Sequence, residues 1–263
     1  MKHFKLCLQF CCIHIKKYRK RIFAIFSIYF LVLLIITWIR SKEGCNGIDL
    51  FVLMNGGYSL ETNNLLDMLI GIYPYLSIGY LCSMYLDEML EKQATFVLIR
   101  MKNMRNFHLA NIVTLSCFNV LVICCFQIVK FCISIFFTSN CQVESLYYMT
   151  DVRLDLNIIS LQVYTLLYQI VGSLAVFLIQ YMIQKKCGNG ISGMLFVFAI
   201  YFININSNLL RNLELGTYVI LGNLQVINNN GTSLQMFVSK NCLYIIVTAI
   251  FILMKRGKKN VRN

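Results

Sequence analysis

The chain has 263 residues, 58% of them hydrophobic and only 13% charged, with a mean hydropathy of +0.67 and a formal net charge of +13. A soluble domain carries about 25% charged residues, so this composition excludes an ordinary soluble enzyme. The basic residues collect in short runs beside apolar stretches, which is how cytoplasmic loops of membrane proteins look and argues against a nucleic-acid partner.

The first twenty residues, 1–20, mix Phe4, Leu6, Leu8, Phe10, Ile13 and Ile15 with lysines and arginines. This pattern predicts an amphipathic helix lying in the cytoplasmic interface, the plain alternative being a basic tail that only sets orientation. Residues 22–39 follow with no charge at all. A membrane span needs about 20 apolar residues to cross a hydrocarbon core of roughly 30 Å. The run is longer than a signal-peptide core and no small-residue cleavage pattern follows it, so it reads as a retained first span.

Further spans are predicted over 68–86, 109–130, 161–183, 191–210 and 236–254, the fifth being the weakest because Asn204, Asn206 and Asn208 follow its apolar core. The fold class is therefore all-α: an integral membrane protein with a six-helix transmembrane bundle. Residues 1–263 form one membrane domain, since the single proline, Pro74, leaves no composition for a linker. Placing both termini in the cytoplasm puts eighteen basic residues inside, in the runs 2–21, 92–105, 185–186 and 255–262. Six remain for the outer side: Arg40, Lys42, Lys130, Arg153, Arg211 and Lys240. That bias sets an N-in, C-in orientation.

Several details qualify the spans. The apolar run 109–137 overshoots the core, so either Lys130 snorkels to the outer interface with the following FCISIFF on the surface, or one long helix is tilted. The second span contains Gly71 and Pro74, where it has a place to bend. It also carries Gly79 and Ser83, a small-xxx-small pair suited to close helix packing. Residues 211–235 are too polar to span twice and too apolar for an ordinary loop, which predicts short re-entrant or interfacial helices on the outer side. Twelve cysteines give no C-x-x-C pair; only Cys45 and Cys141 fall on the predicted outer side, where they could form a disulfide.

Reactive chemistry is hard to find. No Asp, Glu, His or Arg falls inside a span as drawn, and His3, His14 and His108 all lie on the cytoplasmic side. The sequence contains no H-E-x-x-H, no G-x-S-x-G and no G-x-x-x-x-G-K-[ST]. The reading is that the chain is not an enzyme and holds no catalytic, cofactor or metal residues.

The longest inner loop, 87–108, places Leu90, Ala94, Val97, Met101 and Met104 at spacings of 4, 3, 4 and 3, one face of a helix, with Glu88 and Lys92 as an i,i+4 pair. By periodicity alone it is a cytoplasmic surface helix or a mere amphipathic connector. Its residues Glu91-Lys92-Gln93-Ala94-Thr95, then Leu98-Ile99, then Arg100, Lys102 and Arg105, resemble the cytoplasmic coupling element between the second and third spans of type-2 ABC export permeases. Ala94 stands where that pattern has glycine, Arg100 where a proline follows the leucine pair, and Asn111 where a lysine is common. The order of elements along the whole chain is similar as well, and the divergence resembles the small permease subunits of peptide-export and immunity systems in low-GC Gram-positive bacteria.

The resemblance implies a membrane subunit of an ABC-type exporter in the cell membrane, moving a peptide-like, antibiotic or lipophilic substrate. It implies two copies of a separate ATPase subunit docked on 87–108, with Glu88, Glu91, Thr95 and Arg100 as coupling residues. A second permease subunit, the same or related, would complete the path. The alternative is a membrane immunity or assembly protein that transports nothing.

Overall fold

Once a backbone enters lipid, every amide must find its partner within the protein, and a chain without strand patterning can do so only as helix. The computed structural model describes residues 2–42, 47–57, 65–92, 103–136, 158–206, 213–223, 225 and 231–254. Seven α-helices occupy them: α1 (Lys2–Lys42), α2 (Gly47–Met54), α3 (Leu65–Asp87), α4 (Met104–Phe136), α5 (Ile158–Cys187), α6 (Gly190–Asn206) and α7 (Leu234–Leu253). Among the described residues, α1, α3, α4, α5 and α7 are long and apolar enough to cross a membrane; α6, with 17 residues, is apolar but shorter.

Several boundaries follow from local sequence. The segment 2–20, read as a separate interfacial helix, runs without a break into the first span, giving one helix of 41 residues. Helix α4 likewise continues through Phe136, 33 residues or about 50 Å. It is one long helix, not a span followed by a surface segment. Its start is capped by Asn103, whose Oδ1 accepts the Arg105 amide at 3.0 Å. Between α5 and α6, Gly188 takes a left-handed φ of 79° and its amide returns to the Gln184 carbonyl at 2.8 Å. Asn189 then caps α6 by accepting the Ser192 amide at 3.0 Å. Gly188-Asn189-Gly190 thus stops one helix and starts the next within three residues.

Helix α5 occupies the centre, touching α3, α4, α6 and α7. The core around it is rich in tyrosine: Tyr75, Tyr168, Tyr181, Tyr201 and Tyr218 are all within 1% of full burial. Helices α1 and α7 lie at the outside, exposing Phe23, Ile28, Leu31, Ile35 and Trp38 on one and Leu243, Ile246, Ile250 and Phe251 on the other. Inside, by contrast, Asn119, Gln127, Lys130, Gln169, Gln180 and Gln184 are buried. Apolar groups outside and amides inside invert the arrangement of a water-soluble protein and match a bundle whose solvent is hydrocarbon.

The segment expected as re-entrant or interfacial over 211–235 is described over 213–223, at 225 and over 231–235. It contains two 3-10 turns, Thr217–Val219 and Leu221–Asn223. Tyr218, Val219, Ile220 and Leu221 are buried. The Leu221 amide donates to the Asn55 carbonyl at 3.0 Å, so this irregular backbone is satisfied by protein.

Pro74 sits inside α3 and cannot donate to the Ile70 carbonyl four residues earlier. Tyr29 of α1 approaches that carbonyl with its hydroxyl at 3.3 Å, while its ring stacks on Tyr73 at 5.3 Å. The neighbouring Gly71 has a packing role: a Cβ there would lie 2.7 Å from the Gly56 Cα. Gly79 and Ser83, one turn apart, both face α5 and α6. A Cβ on Gly79 would meet Val197 at 3.1 Å, and the Ser83 hydroxyl donates to the Gly190 carbonyl at 2.8 Å.

Candidate functional site

Two places stand out. The first is a buried lysine. Of the two sequence readings of the run 109–137, the one in which Lys130 snorkels to the outer interface is corrected by the structure. Lys130 is 1% exposed and its Nζ donates to Asn55 Oδ1 at 2.8 Å. The reason is its helical phase. Phe126, Gln127, Ile133 and Ser134 share its face of α4 and are all buried, so the stem of Lys130 points into the bundle. Snorkelling needs a side chain that faces lipid or the interface, and Lys130 faces neither.

Asn55 supplies the seat. It follows α2, an eight-residue apolar helix that the span-by-span reading passes over, and it opens the turn Asn55-Gly56-Gly57. Its side-chain amide donates to the Phe51 carbonyl at 2.8 Å, which fixes the carbonyl oxygen toward the bundle axis. That one oxygen accepts from Lys130 Nζ, from Gln127 Nε2 at 2.7 Å and from Gln169 Nε2 at 2.9 Å. Gln127 also donates to Gln169 Oε1, so the three amides are joined in a ring and the ammonium is bonded to one of them. The Tyr29 ring lies 6.0 Å from Nζ, and Gln127 Oε1 is buried with no hydrogen-bond partner among the described residues.

Gly56 makes the arrangement compact. It adopts φ 91°, and a Cβ there would fall 2.2 Å from the Val219 carbonyl oxygen, so the 3-10 turns press directly on the Asn55 turn. The signal that could have located this centre was present. His108, Asn111, Asn119, Gln127, Lys130 and Ser134 share the buried side of α4, and Thr165, Gln169, Ser173, Gln180 and Gln184 share that of α5. They meet in pairs: Asn119 Nδ2 donates to Ser173 Oγ at 2.8 Å, and His108 Nδ1 lies 2.7 Å from the Tyr181 hydroxyl. His108 lies within α4, which begins at Met104, and is buried against α5.

The second place is the start of the connector between α3 and α4. Helix α3 passes at Glu88 into a π-helical turn, Glu88–Lys92. Glu88 is held from α1 on two sides: Lys17 pairs with Oε1, and the Tyr18 hydroxyl donates to Oε2 at 2.6 Å. Met89 beside it is buried in the core. The π turn departs from the expected α spacing at Leu90, and Met104, expected on the same apolar face, is half exposed at the start of α4. The backbone of Glu91 belongs to the turn, while Thr95, Arg100 and residues 93–102 as a whole lie outside the described residues, as do Cys45 and Cys141.

The sequence matches no protein-family model and no curated protein. Among the described residues the structure is helical without strands, and five of its helices are long and apolar enough to cross a membrane.

Proposed function

We propose that the chain is the membrane-embedded permease subunit of an ABC-type exporter, a multi-pass protein of a bacterial cell membrane that works with a separate ATPase. In this reading the shorter helix α6 also crosses the membrane, as the fifth of six spans, both termini face the cytoplasm, and two permease subunits form the path with two ATPase subunits. The observation that carries the proposal is the clasp on Glu88. A connector pushed from the cytoplasm must transmit the push to spans, and here its first residue is tied to Lys17 and Tyr18 of α1 while Met89 is rooted in the core. Displacing this turn would move α1 and α3 together. Glu91, Thr95 and Arg100 of the resembling segment would meet the ATPase.

The orientation places the Lys130 centre far from the motor. Lys130 is 26 residues after Met104, about 39 Å along the helix, so the polar ring and the turns that press on it lie in the outer half of the bundle.

Co-purification of the full chain with an ATPase encoded beside it is the direct test. Charge reversal at Glu91 and Arg100 together is expected to abolish complex formation and ATP-dependent export; if both persist, the coupling assignment is wrong. Protection of cells by this chain alone, with no nucleotide hydrolysis, would instead establish a non-transporting immunity or assembly protein.

A further inference from the structure

Three hydrogen-bond donors of the bundle converge on a single point. Lys130 Nζ, Gln127 Nε2 and Gln169 Nε2 lie 2.8, 2.7 and 2.9 Å from the position that Asn55 Oδ1 holds. A carboxamide oxygen offers two lone pairs, a poor match to three donors of which one is a cation. All four residues are buried, and among the described residues no carboxylate pairs with Lys130. We propose that this point is a binding site for the carboxylate of a membrane-partitioning ligand, and that Asn55 occupies it as a stand-in. That the ligand is cargo rests on the permease reading; the binding itself does not.

Charge, shape and surroundings select the occupant. A charge buried in a bilayer is costly unless an opposite charge meets it, and an intramembrane cation marks a place where an anion is handled. One ammonium balances one negative charge, which suits a carboxylate and leaves a doubly charged phosphate monoester in excess. A carboxylate is also planar and of the same size as the carboxamide it displaces, whereas a tetrahedral phosphodiester is bulkier. Donors bond an ionised oxygen roughly twice as strongly as a neutral one, so the exchange is favourable at the point of contact. The neighbouring wall is aromatic: Phe126 stacks on Phe26 at 4.2 Å and meets Tyr29 edge-on at 5.0 Å, and the Tyr29 ring lies 6.0 Å from Nζ. The ligand is therefore a carboxylate carried on an apolar body. The turn permits the exchange. Asn55 is followed by Gly56 and Gly57, with φ of 91° and 83°, and glycine passes between positive and negative φ without a side-chain barrier. Movement of this turn, with the segment bonded to it through the Leu221 amide, carries Asn55 off the donors while Gln127 and Gln169 stay tied to each other.

The test uses the full chain in a non-ionic detergent with no ATPase present, so its failure would leave the permease reading standing and its success would not establish that reading. The probes are N-octanoylglycine and its neutral twin N-octanoylglycinamide, titrated calorimetrically at one pH and salt concentration. The acid should bind about tenfold or more tightly than the amide, and Lys130→Met should bring the two within about twofold. Equal binding of acid and amide by the unaltered chain overturns the proposal, as does a preference that Lys130→Met leaves intact. A second arm replaces the missing side chain with a small ion. Asn55→Ala leaves a gap of carboxamide size beside the donors, so sodium acetate should raise its thermal unfolding midpoint by about 3 °C or more over sodium chloride at the same concentration. The same addition should barely move the unaltered chain or the variant that also carries Lys130→Met. An acetate effect on Asn55→Ala no larger than that of chloride overturns the proposal, and dimethyl phosphate acting as well as acetate overturns the choice of a carboxylate. If Asn55→Ala does not fold, the comparison of the unaltered chain with Lys130→Met, which keeps its stem in the core, decides alone.

Discussion

The ammonium of Lys130 rests on the side-chain oxygen of Asn55, 75 positions earlier in the chain, at 2.8 Å in a fully buried setting. One neutral acceptor therefore serves a cation and two amides. Removing it is a different experiment from removing the cation. Asn55→Ala should destabilise the protein by about 3 kcal/mol or more, because it strands a buried charge. Lys130→Met removes the charge and keeps the stem, and should be near neutral or stabilising. The double variant should be far better than the sum of the singles, which thermal unfolding in detergent would reveal as a coupling energy. Additive effects would mean that the two side chains do not meet.

Glycine substitutions separate strain from collision. Gly56→Ala faces both a left-handed φ of 91° and the Val219 carbonyl at 2.2 Å, a backbone atom that cannot swing aside. Gly188→Ala has a similar φ of 79° but nothing within 4 Å. The expected outcome is a loss of about 1 kcal/mol for Gly188→Ala and failure to fold stably for Gly56→Ala. Comparable unfolding midpoints would contradict the close approach of the 3-10 turns.

Tyr29 and Pro74 should show compensation. Tyr29→Phe leaves the Ile70 carbonyl without its hydroxyl donor and should cost about 1 kcal/mol. Pro74→Ala restores an amide four residues after Ile70, so Tyr29→Phe should cost less in that background than in the parent. If Tyr29→Phe costs as much beside Ala as beside Pro, the hydroxyl is not replacing the missing helix bond.

The clasp on Glu88 makes a prediction about coupling. Tyr18→Phe removes one hydrogen bond from the carboxylate and leaves the Lys17 pair. If the chain is an exporter subunit, Tyr18→Phe should leave the ATPase bound and hydrolysing while export falls several-fold. Unchanged export per ATP would show that force does not pass through α1.

The long apolar helices could be read from composition because 18 or more uncharged residues admit few alternatives. What such runs do not reveal is phase. Leu, Ile and Phe occur all around α4, so nothing apolar distinguishes the side of Lys130 from the side of Leu121, which is half exposed. The polar residues do distinguish it. Gln127, Lys130 and Ser134 follow one another at three and four residues, and a search for amides along with ionisable groups would have turned the lysine inward. Helix α2 was missed for a different reason. Eight residues, Gly47–Met54, are too few to register as a span and are held by burial of Leu50, Phe51, Val52 and Met54. For the connector, resemblance supplied the candidate residues, but the tie from Glu88 to Tyr18 joins positions 70 apart and no local pattern announces it.

The bond from the Leu221 amide to the Asn55 carbonyl also has a temporal meaning. When Asn55, Gln127, Lys130 and Gln169 have all been synthesised, the turn at Asn55 still lacks the contacts that Val219 and Leu221 make with it. The nascent protein therefore carries this polar cluster before the segment that packs on its turn has been made.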